Sequence, residues 1–245
     1  MKSILFILTL LLISSTAFSA GSDVPYKVNG EDLSGYYISP APAAPLVILV
    51  HDWDGLTDYE VKRAGMLAEM GYAVFAVDLF GKGKRPTTLE EKQQATNALY
   101  ADRPRMRALL QGGLEAARMR GGNVKNAVAI GYCFGGAAVL ELARSGADLK
   151  GFVTFHGGLE TPAGQDYRQT KGKLLILHGT ADSYITMEDF ANLAVELEVA
   201  GIPHEMITYS GAPHAFTVFG SDSYRKDADE KSWRRFGEYL AETLR

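Results

Sequence analysis

Ala127-Val128-Ala129-Ile130-Gly131-Tyr132-Cys133-Phe134-Gly135-Gly136-Ala137-Ala138-Val139-Leu140-Glu141-Leu142 is the stretch that decides how this chain folds. The run before Gly131 is short and apolar, the pattern of a buried strand, and the run after Gly135 is rich in alanine and leucine, the pattern of a helix. Between them lies a G-x-C-x-G elbow. A nucleophile on a sharp strand-to-helix turn sits on strained backbone, and the helix must pass close to the strand, so small residues are needed on both sides. Gly131 and Gly135 meet that need, and Cys133 stands where the nucleophile belongs. The plain alternative is a small buried cysteine beside a glycine-rich turn. A strand, turn and helix in register favour the elbow.

At the N-terminus, Met1-Lys2 carries a positive charge, Ile4 to Ile13 is almost wholly apolar, and Ser14 to Ala20 is small and polar. This is the pattern of a secretory signal peptide over residues 1–19, with Ala17 and Ser19 suited to the positions before a cut. The apolar run is too short for a membrane span, which takes about 20 residues, and no cysteine follows it for lipid attachment. The mature protein, residues 20–245, is expected to be exported as a soluble protein, periplasmic in a Gram-negative source and otherwise secreted, with no membrane association after signal removal. One α/β domain accommodates that length. A formal net charge of −4 offers no basic patch for nucleic acid. A single cysteine cannot close an intrachain disulfide in an oxidising compartment, so its thiol reads as sheltered or reactive.

Strand and helix patterns alternate along the rest of the chain. Val24–Val28 and Leu33–Ile38 flank an Asn29-Gly30 turn as an antiparallel hairpin. Strands then follow at Leu46–Val50, Ala73–Val77, Ala127–Ile130, Gly151–Phe155, Lys173–Leu177 and His204–Tyr209. Helices are expected at Tyr59–Met70, Gly135–Arg144, Met187–Val199 and Ser232–Leu244. The polar segment Leu89–Arg120 reads as helical, either a cap that shapes a pocket or, the reading the charge pattern favours, a solvated pair of helices. The fold class is α/β, a mainly parallel central sheet with helices on both faces and an N-terminal antiparallel hairpin.

In such a sheet, function collects in the loops at the carboxyl ends of the strands. His51, His178 and His214 lie there; His156 also ends a strand, while His204 starts one. His214, in Gly211-Ala212-Pro213-His214-Ala215-Phe216, is the candidate general base. Asp182, in His178-Gly179-Thr180-Ala181-Asp182, can accept from an imidazole and stabilise its protonated form. Asp182 could instead cap a helix, a job open to nearby Thr186. The order nucleophile, acid, histidine is that of α/β hydrolases. Trp53, Phe80, Phe134 and Phe216, all near strand ends, are candidates for an apolar pocket or for the core.

The elbow, the His178–Asp182 segment and the Gly211–Phe216 loop resemble those of the dienelactone hydrolase family, and the resemblance runs from Tyr26 to the last helix. It implies a Cys133-His214-Asp182 triad acting on a small ester or lactone through a covalent acyl-enzyme, with no cofactor and no metal. It also implies an oxyanion hole from the backbone N–H groups of Trp53 and Phe134. A helix starting after Cys133 would lower the thiol pKa. The family's dienelactone-specific members carry, at the position of Asp52, a glutamate that pairs with the resting cysteine; Asp52 is one methylene shorter. Those members hold the substrate carboxylate with two arginines, whose places fall at Lys82 and Val218 here, so dienelactone is not the expected substrate. The partner is then a small-molecule ester or lactone, with the protein a monomer or weak dimer. A non-catalytic binding protein on the same fold is the alternative, although such a protein has no need of all three residue types. A thiol redox protein lacks the second cysteine it would need. No H-E-x-x-H or paired-cysteine spacing marks a metal site.

Overall fold

The computed structural model describes residues 20–244; the signal peptide expected over residues 1–19 lies outside the described residues. The chain forms eight strands and six helices in the order β1 (Ser22–Val28), β2 (Glu31–Ile38), β3 (Pro45–Val50), α1 (Asp58–Glu69), β4 (Ala73–Val77), α2 (Leu89–Ala101), α3 (Arg103–Met119), β5 (Asn123–Tyr132), α4 (Phe134–Arg144), β6 (Gly151–Phe155), β7 (Lys173–Gly179), α5 (Met187–Ala200), β8 (His204–Tyr209) and α6 (Lys226–Thr243) among the described residues. They make one sheet with strand order β1-β2-β4-β3-β5-β6-β7-β8. β1 and β2 pair antiparallel across a two-residue Asn29-Gly30 loop, both of whose residues have positive φ as a twisted hairpin requires. β2 is antiparallel to β4, and every pairing from β4 to β8 is parallel.

The central strands are buried on both faces, so they read as continuous apolar runs and their side chains divide between two cores. In β3, Leu46, Ile48 and Val50 join one core with Leu99 of α2, Leu109 and Leu110 of α3, Val139 of α4 and Leu193 of α5. Val47 and Leu49 join the other, with Ala64 and Leu67 of α1 and Phe236 and Leu240 of α6. Each such side chain contributes about 1.5–3 kcal/mol by leaving water.

The caps explain the boundaries. Thr57 with Glu60, Thr88 with Glu91 and Thr186 with Asp189 form capping boxes at the starts of α1, α2 and α5. The Asp102 side chain accepts from the Arg105 N–H, and a proline in the first turn starts α3, so the segment 89–120 is two helices. α6 begins at Lys226, six residues before the helix expected from Ser232; its first turns are polar, and only Ala228 and Asp229 there turn inward.

At the elbow, a Cβ on Gly131 would lie 2.1 Å from the Gly135 carbonyl oxygen. Gly131→Ala is therefore expected to cost at least about 3 kcal/mol, lowering the melting temperature by roughly 6–12 °C. The comparison is Gly30→Ala, which meets nothing within 4 Å and has only its left-handed backbone to strain, a cost of about 1–2 kcal/mol. Thermal denaturation of both variants checks this; equal shifts would contradict it.

Candidate active site

β3 sits where the sheet's connections reverse direction: β4 lies on one side of it and β5 on the other. Such a switch point opens a crevice between the ends of two neighbouring strands. The elbow closes against it. A Cβ on Gly135 would stand 2.3 Å from the Val50 carbonyl oxygen, so α4 starts hard against the end of β3 and beside the loop His51-Asp52-Trp53. Cys133 occupies the turn itself, with φ 51° and ψ −114°, and α4 starts at the next residue. Its N–H donates to the Phe155 carbonyl at 3.1 Å, which ties the turn to β6.

Asp182 follows β7, and Thr186 takes the cap of α5, so the aspartate is free for another partner. Its Oδ1 accepts the Tyr184 and Ile185 N–H groups, each at 2.9 Å. Its Oδ2 lies 2.7 Å from His214 Nδ1, and His214 Nε2 lies 3.0 Å from Cys133 Sγ. With the carboxylate accepting at Nδ1, Nε2 is left to take a proton from the thiol. Burial raises the Asp182 pKa, but the hydrogen bonds from His214 and Ile185 outweigh it and hold the carboxyl below its usual range. Asp182 therefore stays ionised beside the ring. The ring of Tyr184, 79% exposed, meets the His214 ring edge-to-face at a separation of 5.6 Å.

Asp52 faces the same thiol. Burial, followed by the charge of Asp54, pushes its carboxyl up to about 6, while hydrogen bonds from Trp53 N–H and from Cys133 pull the other way. Asp52 and Cys133 line the same cavity, close enough for the carboxylate charge to act on the thiol. Asp52 Oδ1 also accepts the Trp53 N–H at 2.5 Å, which engages one of the two expected oxyanion donors. Burial, the Asp52 charge and the hydrogen bond to Asp52 together push the Cys133 thiol well above its usual pKa, and the Phe134 N–H only partly offsets them. The lowering expected from the start of α4 is thus overridden, because a neighbouring carboxylate and loss of water act on the thiolate more strongly than one helix end.

The remaining histidines hold structure. His51 accepts the Leu79 N–H on Nε2 at 3.1 Å, so Nδ1 carries the proton and donates to the Asp52 carbonyl at 2.6 Å. His178 is buried against the Phe190 ring, and His204 Nδ1 lies 2.7 Å from the Ile202 carbonyl.

Cys133, His214 and Asp52 open into a cavity of about 450 Å³, walled by Trp53, Tyr100, Phe134 and Tyr184. Gln93, Thr96 and Tyr100 of α2 form one side of it. The segment 89–120 is therefore divided in role, with α2 shaping the cavity while Leu109 and Leu110 of α3 pack in the core. No lysine or arginine is among the described residues that line it. Lys82 does not reach it: its backbone N–H donates to the Asp32 carbonyl, which holds the exposed residue beside the hairpin, where Lys27 lowers the Asp32 pKa and the Lys82 charge adds a smaller effect. Val218 is likewise absent from the lining, and Phe80 and Phe216 are buried in the cores. Among the described residues, no three His, Cys, Asp or Glu side chains group as metal ligands. Tyr184 carries no motif that singles it out in the sequence; for the segment 89–120 the pocket-shaping role is the less favoured of the two readings, because the position of each side chain depends on how the segment folds over the crevice.

A family model described as the dienelactone hydrolase family matches residues 33–244. The chain belongs to the dienelactone hydrolase family. This dienelactone hydrolase family member is therefore a hydrolase. It is 25% identical to a putative carboxymethylenebutenolidase of Salmonella typhimurium over 248 residues, covering 96% of this chain and 91% of the relative. It is 24% identical to protein usf of Aquifex pyrophilus, covering 90% of this chain and 99% of the relative. Among solved structures, a dienelactone hydrolase-like promiscuous phosphotriesterase from metagenomic libraries superposes with TM-score 0.87 at 27% identity, over 94% of this chain and all of that one.

Asp52→Asn removes the charge that opposes the thiolate. At pH 7, above the Asp52 pKa of about 6, alkylation of Cys133 by iodoacetamide is expected to quicken by about tenfold, the equivalent of one pKa unit. Below pH 6 wild-type Asp52 is itself neutral, so the two rates should converge. A ratio of one at pH 7 would contradict this account of the thiol.

Proposed function

We propose that this protein hydrolyses small, uncharged carboxylic esters or lactones through Cys133, His214 and Asp182 and a covalent acyl-enzyme. The observation that carries the reading is the line Asp182 Oδ2, His214, Cys133 Sγ, with separations of 2.7 and 3.0 Å, at the foot of a cavity of ligand size. His214 Nε2 takes the thiol proton as the sulfur attacks the carbonyl carbon, and ionised Asp182 stabilises the imidazolium. The tetrahedral oxyanion forms beside the Phe134 N–H. The Trp53 N–H becomes a second donor when the Asp52 carboxylate turns away from it, an exchange that entry of the substrate oxygen drives. His214 then gives its proton to the leaving oxygen. It next takes one from water, whose oxygen attacks the thioester carbonyl; collapse returns the proton to the sulfur and releases the acid.

Two features support an uncharged substrate. Among the described residues the cavity wall carries no cation, and the ionised Asp52 beside Cys133 repels a carboxylate. Lys92, which lies 5.2 Å from the centre of the Trp53 ring, is directed to Asp54 at 3.8 Å. In the same reading the protein acts after export, as the pattern in residues 1–19 suggests.

Ester hydrolysis by the mature chain tests the proposal. Cys133→Ala is expected to reduce p-nitrophenyl acetate turnover to background. His214→Ala and Asp182→Asn should each lower kcat by about a hundred- to ten-thousand-fold. The neutral acetate should exceed the anionic p-nitrophenyl hemisuccinate in kcat/KM by at least about tenfold. A neutral phosphotriester belongs in the panel because of the related phosphotriesterase. Turnover that survives Cys133→Ala would refute the nucleophile, and preference for the hemisuccinate would refute the substrate class.

A further inference from the structure

Arg63 of α1 is a guanidinium sealed inside the molecule, its side chain 1% exposed. From Nη2 it donates to the Thr217 carbonyl at 2.8 Å and to Asp229 Oδ1 at 2.5 Å, and from Nε to the Tyr59 hydroxyl at 3.2 Å. The Phe219 and Trp233 rings lie 4.2 and 4.9 Å from its central carbon. Burying an arginine costs several kcal/mol unless its partners are well placed. Here the partners come from three segments: α1 itself, the loop after β8, and the first turn of α6. A salt bridge to Asp229 alone would dock α6 on α1. Thr217 adds something different, because it stands three residues after His214 and is held by both its carbonyl and its side chain.

The side chain continues the chain of hydrogen bonds. Thr217 Oγ1 lies 2.7 Å from the Tyr59 hydroxyl and 2.8 Å from His156 Nε2. The guanidinium can only donate, so the Tyr59 oxygen accepts from it, and Thr217 Oγ1 links that hydroxyl to the His156 ring. His156 turns out of β6 with φ 42° and presents its ring edge-on to His214, centroids 5.4 Å apart. Burial, with His214 adding to it, holds His156 well below its usual pKa. A neutral ring in this place does not repel an imidazolium on His214.

The same helix grips the opposite wall. Glu60, one turn before Arg63, accepts the Asp52 N–H on Oε1 at 3.3 Å and the Thr57 N–H on Oε2 at 2.7 Å. α1 therefore holds the loop that carries Asp52 and Trp53 through Glu60, and the loop that carries His214 through Arg63.

We propose that Arg63 and Thr217 are positioning residues for His214, and that α1 acts as the spacer that sets the His214 ring against Cys133 and the Trp53 loop. The inference rests on the hydrolase reading of the site. Misplacing a reacting group by about 1 Å costs up to a hundredfold in rate, and Arg63, Tyr59 and His156 together fix Thr217 to the body of the molecule.

The test compares Thr217→Val, which keeps the shape and removes the hydroxyl, with Thr217→Ser, which keeps the hydroxyl, and with Arg63→Lys, which keeps the charge and loses the fork. The readouts are kcat and KM for p-nitrophenyl acetate, the alkylation rate of Cys133 by iodoacetamide at pH 7, and the melting temperature. Thr217→Val is expected to lower kcat by about tenfold or more, leave KM unchanged and slow alkylation, while Thr217→Ser restores both rates. Arg63→Lys, where it folds, should match or exceed the loss in Thr217→Val. A lowered melting temperature in Thr217→Val with wild-type kcat and alkylation would make the network purely structural and overturn the proposal. Failure of the hydrolase reading is separate, because it appears as turnover that Cys133→Ala leaves intact, and alkylation still reports the pairing of Cys133 with His214.

Discussion

The close approach of β5 and α4 at Gly131 and Gly135 is the constraint on which the rest depends. With a side chain at either glycine the helix could not start where it does, hard against the end of β3. Because it does start there, Cys133 is held in a left-handed backbone conformation that costs a non-glycine residue about 1–2 kcal/mol. The hydrogen bond from its N–H to Phe155 and the packed ends of β3 and β6 keep it there. The strain has a geometric result: the thiol points out of the sheet's edge, into the crevice that the reversal of strand order opens. His214 and Asp182 then need only be delivered by the loops after β8 and β7, two strands that pair with each other.

The electrostatics of the crevice pull in two directions. Phe134 N–H and the start of α4 favour a thiolate, yet burial and the carboxylate of Asp52 favour the thiol, and the second pair wins. Under the proposed mechanism this makes the resting site quiet. Its sulfur is protonated and one oxyanion donor is taken by Asp52. A substrate that displaces the carboxylate would at once release the Trp53 N–H and lift the charge that opposes ionisation. A protonated thiol is also slower to oxidise than a thiolate.

Much of this was legible in the sequence because it is carried by local patterns. The elbow glycines, the apolar strand runs and the Asn29-Gly30 turn each act through backbone conformation or burial within a few residues. Cys133, His214 and Asp182 could be named because strand ends in a parallel sheet converge on one edge. What stayed hidden depends on long-range packing. The first turns of α6 lack an apolar face, and Asp229 is buried there against Arg63 and the Tyr224 hydroxyl. The wall formed by α2 is set by how Tyr100 settles over Phe134. Lys82 was placed near the substrate by resemblance alone, whereas the bond from its N–H to Asp32 holds it beside the hairpin. The thiol's raised pKa needs Asp52 and Cys133 to be neighbours in space, and no spacing along the chain encodes that distance.

The central claim is that Cys133 carries the acyl group. It is tested most directly by mixing the mature protein with p-nitrophenyl acetate, quenching with acid during turnover, and mapping the modified peptide by mass spectrometry. The account predicts one acetyl group per chain, on Cys133, formed with a burst of p-nitrophenolate and lost as turnover ends. Ester consumed at a steady rate while Cys133 stays unmodified at every quench time, with an acyl group on another residue or on none, would contradict it.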